Sequence, residues 1–239
     1  MNFRLPEIND LLEHYSSLDE VGNCFSERTL VHSWNRLEVH YAPFNHQKRD
    51  SKLILLGITP GKSQTINAWK NAVSLFKEGK DAESCIRWAK KNARFAGGMR
   101  ANLVNMLDAI GVPEKLGMHS MSNLFDNDSE LLYSGSIVRY PVLKDGENYS
   151  GSSPKLHKDA ILVQMFQEWT LPVLNELPNS LIVPLGKSVQ ELLIQEGFEN
   201  RMLVGFPHPS PGNGHRNKQF QSNRDSMIET VNEWNPLYH

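Results

Sequence analysis

Between Gly205 and Phe220 the chain reads Gly-Phe-Pro-His-Pro-Ser-Pro-Gly-Asn-Gly-His-Arg-Asn-Lys-Gln-Phe. Pro207, Pro209 and Pro211, with Gly212 and Gly214, exclude helix and sheet from this stretch. His208 stands between two prolines, so its backbone has little freedom. Ser210 follows, then His215, Arg216 and Lys218, and no acid occurs between Arg201 and Arg224. A stiff, basic, polar loop of this kind suits two tasks: gripping a phosphate backbone, and holding one imidazole still as a hydrogen-bond donor or proton carrier.

A second stretch has the right residue types. Gly57-Ile58-Thr59-Pro60-Gly61 follows the apolar run Leu53 to Leu56 and leads into Lys62 and Ser63. Gly61-Lys62-Ser63 has the ending of a phosphate-binding P-loop. That motif needs a glycine five residues earlier, where Leu56 stands, and Pro60 interrupts the backbone donors. A tight strand-to-helix turn explains the stretch better.

Bulk properties limit the rest. A chain of 239 residues with 39% apolar content can build one large α/β domain or two small ones. Its formal net charge of -2 means that any affinity for nucleic acid comes from a local basic patch. Arg87, Lys90, Lys91, Arg94 and Arg100 form one such run without an acid, and Arg216, Lys218 and Arg224 form another. A solvated helix face is the alternative for the first run. Cys24 and Cys85 are too few for a four-cysteine cluster and read as free thiols. His32, His40 and His46 fit no zinc spacing. The tryptophans, Trp88 among them, read as core or interface residues. The N-terminus lacks a basic region followed by an apolar run, and no stretch approaches a membrane span, so a cytoplasmic protein is expected.

The elements that must hold the two loops alternate. The patterns predict an N-terminal helix over 5–20 and a strand over 52–56. Helix follows over 66–91, with a break near Gly79, and over 101–110. Leu103, Met106, Leu107 and Ile110 share one face of the latter. A strand with its continuation is predicted over 131–142 and an exposed loop over 145–154. Next come a helix over 160–177 with Pro172 as a possible kink, a strand over 181–185, a helix over 188–196, a fourth strand over 202–206 and a last helix over 222–233. Residues 30–44 resist assignment. Strands separated by helices imply a three-layer α/β/α domain around a mainly parallel four-stranded sheet, with residues 1–50 as an N-terminal extension packed on it. Ligands in such folds sit beyond the carboxyl ends of the strands, which would put Thr59, Ser136, Gly186 and His208 on one rim.

As a pair, Gly57-Ile58-Thr59-Pro60-Gly61 after the first strand and His208-Pro209-Ser210-Pro211 after the last resemble the two signature loops of the uracil-DNA glycosylase superfamily. The second loop looks closest to the single-strand-selective, SMUG-type branch. Phe95-Ala96-Gly97-Gly98 is similar to a segment of the thermostable branch, and Ser136 to Pro141 aligns more loosely with a base-reading strand. The resemblance covers roughly residues 52–233.

The resemblance implies excision of a damaged or deaminated base, uracil or a relative, from single- or double-stranded DNA. It implies a monomer with no metal and no organic cofactor, associated with the nucleoid in a bacterium. His208 would stabilise the departing base and Thr59, where the family has aspartate or asparagine, would help place water. Phe95 would stack on the base, and Ser136, Gly57 and Ile58 would line its pocket, with Ser134 the alternative to Ser136 if the register slips. Lys62, Ser63, Gly186, Lys187, Ser210, Asn213 and Arg216 would meet the DNA backbone. A nucleic-acid-binding protein that has lost the chemistry is the alternative.

Overall fold

A computed structural model of the protein describes residues 3–18, 21, 23–46, 50–93, 97–126 and 129–236. In chain order the elements are α1 (Ile8–Ser16), β1 (Leu30–Trp34), β2 (Leu37–His40), β3 (Leu53–Gly57), α2 (Lys62–Lys77), α3 (Ala82–Ala93), α4 (Gly97–Asp108), α5 (Val112–Lys115), α6 (Ser122–Asp126) and β4 (Leu132–Ser136). There follow β5 (Val142–Lys144), β6 (Glu147–Asn148), α7 (Ala160–Trp169), α8 (Leu171–Glu176), β7 (Leu181–Pro184), α9 (Lys187–Gln195) and α10 (Arg216–Glu233). The chain forms two compact units: Met1–His46, Thr59–Arg94 and Val138–Ser150 make the first, and Gln47–Ile58, Phe95–Ile137 and Gly151–His239 the second.

The second unit is built on a parallel sheet in the order β4-β3-β7. Its central strand β3 carries Leu53, Ile54, Leu55 and Leu56, all fully buried. An unbroken apolar run is what a parallel strand covered on both faces requires. Leu53 and Leu55 share one core with Leu103, Met106 and Leu107 of α4, with Ile110 just beyond its end, and with Phe220, Met227 and Val231 of α10. The face of α4 expected from helical spacing is therefore the buried one.

The sheet has three strands, not the four expected from the sequence. Residues 202–206 make a single parallel bridge, Ile182 to Met202, in which the Leu203 N–H donates to Ile182 O at 2.9 Å. The Val204 N–H then turns back onto Met202 O at 3.0 Å, and Gly205 takes φ +83°. An apolar run read alone looks like a strand. Here a left-handed residue ends it after one bridge and turns the chain toward Pro207.

The expected strand over 131–142 also divides. β4 stops at Ser136, and the buried Thr170 hydroxyl lies within hydrogen-bonding distance of the carbonyls of both Ser136 (3.1 Å) and Ile137 (3.0 Å). The same Thr170 separates α7 from α8, where a single helix with a kink at Pro172 was expected.

The first unit combines α1, α2 and α3 with an antiparallel sheet, β1-β2-β5-β6. The sequence gives little warning of this sheet, because its strands have two to five residues. Its clearest local sign is Asp145-Gly146, whose φ values of 51° and 77° fit the two-residue hairpin turn between β5 and β6. Tyr15 and Trp69 pack with ring centroids 4.9 Å apart, and Tyr41 and Tyr140 with centroids 5.1 Å apart. Trp69 is core, as expected.

Candidate functional site

The carboxyl ends of the three parallel strands form the rim of the second unit. Register pairs Gly57 with Ser136 at the ends of β3 and β4, and the Leu185 N–H donates to Leu56 O at 2.9 Å just past the end of β7, with Gly186 next in the chain before α9. Three adjacent strands span about 10 Å, roughly the width of a nucleobase with its contacts. The Ser136 hydroxyl stands 3.7 Å from where a Cβ on Gly57 would lie. Ser134, the alternative base reader, sits two residues deeper in β4 and is buried.

His208 packs on this rim. A Cβ on Gly186 would lie 3.1 Å from His208 Cβ, and Gly186 has φ +96°. Glycine suits that backbone conformation, and any side chain there would also crowd the histidine.

The loop is held from several directions within the unit. The Asn102 amide of α4 donates to Pro209 O at 2.9 Å. The Asn213 amide donates to His208 O at 3.2 Å, and the Arg216 guanidinium to Ser210 O at 2.9 Å. Gly205, at the loop's start, donates its N–H to the Gln190 side chain at 2.6 Å and accepts from Asn223 at 3.4 Å. A Cβ on Gly98 would meet Pro211 Cγ at 2.9 Å, so α4 starts close against the loop.

The imidazole has a defined state. The Ser210 backbone N–H donates to His208 Nδ1 at 3.2 Å, so Nδ1 carries a lone pair and the ring proton sits on Nε2. Burial lowers its pKa below the usual histidine value, which favours the neutral ring. The result is a fixed, uncharged N–H donor. Such a group can stabilise negative charge on an oxygen or nitrogen without first losing a proton.

The other expected site residues fall in different surroundings. Ile58 packs in the second unit, its Cδ1 2.9 Å from where a Cβ on Gly151 would stand. Lys187 places its ammonium 3.7 Å from Glu191. Ser210 accepts the Gly212 N–H on its hydroxyl at 3.2 Å, so it shapes the loop with its side chain. Phe95 lies outside the described residues.

Thr59 belongs to the first unit. Its hydroxyl donates to Tyr140 O at 2.8 Å and accepts the Val142 N–H at 2.9 Å. Its single proton is therefore committed to backbone, and one lone pair remains. Lys62 is in the same unit. Its backbone N–H donates to Asn148 at 2.8 Å and its ammonium to Gly146 O at 2.8 Å, with Glu147 at 3.8 Å. The start of α2 is capped by a side chain of β6, as a strand-to-helix turn would be, and Ser63 beside it is exposed.

Replacing Thr59 with valine removes both bonds. The expected loss is about 2 kcal/mol in chemical unfolding, with Thr59→Ser close to wild type. An unfolding midpoint unchanged in Thr59→Val would show that the clamp contributes nothing.

Asn102, Gln190, Asn223 and Thr170 hold the site, and sequence reasoning did not find them. Each is a polar residue in or beside a helix, with no local motif to mark it.

No family model matches the chain, and no solved structure matches it. It is similar to the uncharacterized protein YoxB of Bacillus subtilis (strain 168), at 34% identity over 214 residues that cover 87% of this chain and 84% of YoxB. At that identity over that much of both lengths, the chain belongs to the family that includes YoxB.

Proposed function

We propose that the protein is a uracil-DNA glycosylase-like enzyme that hydrolyses the N-glycosidic bond of a damaged or deaminated base in DNA, on the three-layer fold of that superfamily. The observation that carries the reading is the state of His208: neutral, its Nδ1 accepting from Ser210, its Nε2–H free of that bond, and its ring packed on Gly186 at the rim of the parallel sheet.

The chemistry follows from the bond. The target nucleotide leaves the stack and enters the pocket. As the bond from C1′ to the base nitrogen breaks, its electron pair goes to the base and positive charge builds on the sugar. His208 Nε2–H donates to the base as its negative charge grows. Ser136 offers one hydroxyl to the base edge, and the sugar's positive charge is offset by the departing anion and the neighbouring phosphates. A water oxygen then bonds to C1′ and releases its proton to solvent or phosphate. Lys187 and Arg216 contribute positive charge toward the backbone.

A second reading has its own support. With the Thr59 proton given to Tyr140, no carboxylate or amide stands at that position to activate water. A DNA-binding protein without the chemistry would have the same feature.

Oligonucleotides carrying uracil, hypoxanthine or xanthine, single- and double-stranded, separate the two. Alkali-sensitive strand breaks after incubation support the enzyme. Retention of the oligonucleotide with no abasic product supports binding alone.

A further inference from the structure

The first unit carries an exposed aromatic residue that the proposed excision chemistry does not use. Trp88 of α3 is 47% exposed, although Cys85 and Ala89 on the same helix are fully buried. The Lys91 ammonium lies 4.6 Å from the centre of the Trp88 ring, and Arg87 is exposed beside it. Lys90 goes elsewhere, donating to His46 O. The acids of this region, Asp81 and Glu83, stand at the start of α3, and none follows from Ser84 to Leu107.

We infer that Trp88, with Lys91 and Arg87, is a stacking platform for an unpaired base of single-stranded DNA, built from residues the proposed excision chemistry does not use. An exposed indole offers a π face to any base, and sequence-independent single-strand binding combines such faces with nearby cations. Lys91 stands over the ring face in the free protein, and by swinging to the phosphate of a stacked nucleotide it would free that face for the base. An apolar protein partner would have to desolvate two cations to cover the same ring, and that costs more than stacking a base whose own phosphate pairs with them. The chain's net charge of -2 gives no general attraction to DNA, so a contact here must be local.

The test is binding of a labelled oligothymidylate with no damaged base, followed by fluorescence anisotropy at several salt concentrations. Trp88→Ala should weaken binding about tenfold, and Trp88→Phe much less. Lys91→Ala should reduce the slope of log affinity against log salt by about 0.7, one phosphate contact on a single strand. Glu229→Gln, on the exposed surface of α10, should bind as wild type does. Thermal melts of the Trp88 variants establish that the fold is kept, as expected for an exposed side chain.

Equal affinity of Trp88→Ala and wild type would overturn the inference. So would a wild type that binds only duplex, or one that binds no oligonucleotide while Trp88 drives adsorption to anionic vesicles. None of these results depends on base release, so failure of the excision reading would leave the platform standing, and the reverse holds too.

Discussion

His208→Ala should lower the rate of base release by about 100- to 1,000-fold with little change in oligonucleotide affinity, the cost of one preorganised donor aimed at a developing anion. The donor's position comes from the loop: Pro207 and Pro209 limit the backbone, Asn213 and Asn102 hold the carbonyls of residues 208 and 209, and Ser210 fixes the ring tautomer. Alanine at 208 removes the donor and leaves the loop in place. His208→Asn, which keeps an N–H of shorter reach, should retain part of the rate.

The pH profile gives a second readout. The imidazole must be neutral for Nδ1 to accept from Ser210, and burial lowers its folded pKa below the ordinary value of about 6.5. Base release should therefore be full at neutral pH and fall only as the pH drops through the lowered value. Stability moves the same way. Below about 6.5 the unfolded chain takes up the proton before the folded one does, so this histidine's contribution is present at neutral pH and lost as the pH falls toward the folded value. A rate that falls with a midpoint above 6.5 would contradict a buried neutral donor, as would a single-turnover rate unchanged in His208→Ala.

The largest effect on stability is expected at Phe206. This residue is 2% exposed and belongs to the core beneath the parallel sheet. Its ring meets Phe220 of α10 edge-on, with centroids 6.5 Å apart. It also lies two residues before His208, so the loop is anchored by one deeply packed ring. Phe206→Ala should cost about 3–5 kcal/mol in denaturant unfolding, the usual range for emptying an aromatic core position. Phe206→Leu should cost much less. The loop prolines cannot replace this anchor, because they limit the conformation of the loop without tying it to the core. Base release by Phe206→Ala should accordingly fall even where the protein remains folded. A midpoint shift worth under about 1 kcal/mol would mean the site collapses around the gap or was never tightly packed.

The sequence alone supplied what local chemistry encodes. Four consecutive apolar residues at 53–56 specified a buried parallel strand, and the spacing of Leu103, Met106, Leu107 and Ile110 specified a helix face. The prolines around His208 marked a stiff loop. Each is a statement about neighbours within a few residues, where side-chain period and backbone restriction act directly. Met202 to Phe206 shows the limit of that logic. Its composition is that of a strand, yet one left-handed glycine and the loop beyond it leave a single bridge.

Only the tertiary structure could decide what Thr59 does with its proton, because its partner Tyr140 lies 81 residues away. The same holds for Asn102, which reaches Pro209 across 107 residues. The antiparallel sheet of the first unit joins residues 30–40 to residues 142–148, and its short strands show their purpose only when paired. A hydroxyl or an amide has the same local signature whether it faces water, a ligand or a distant carbonyl. Burial and long-range pairing choose among these, and they exist only once the chain has folded.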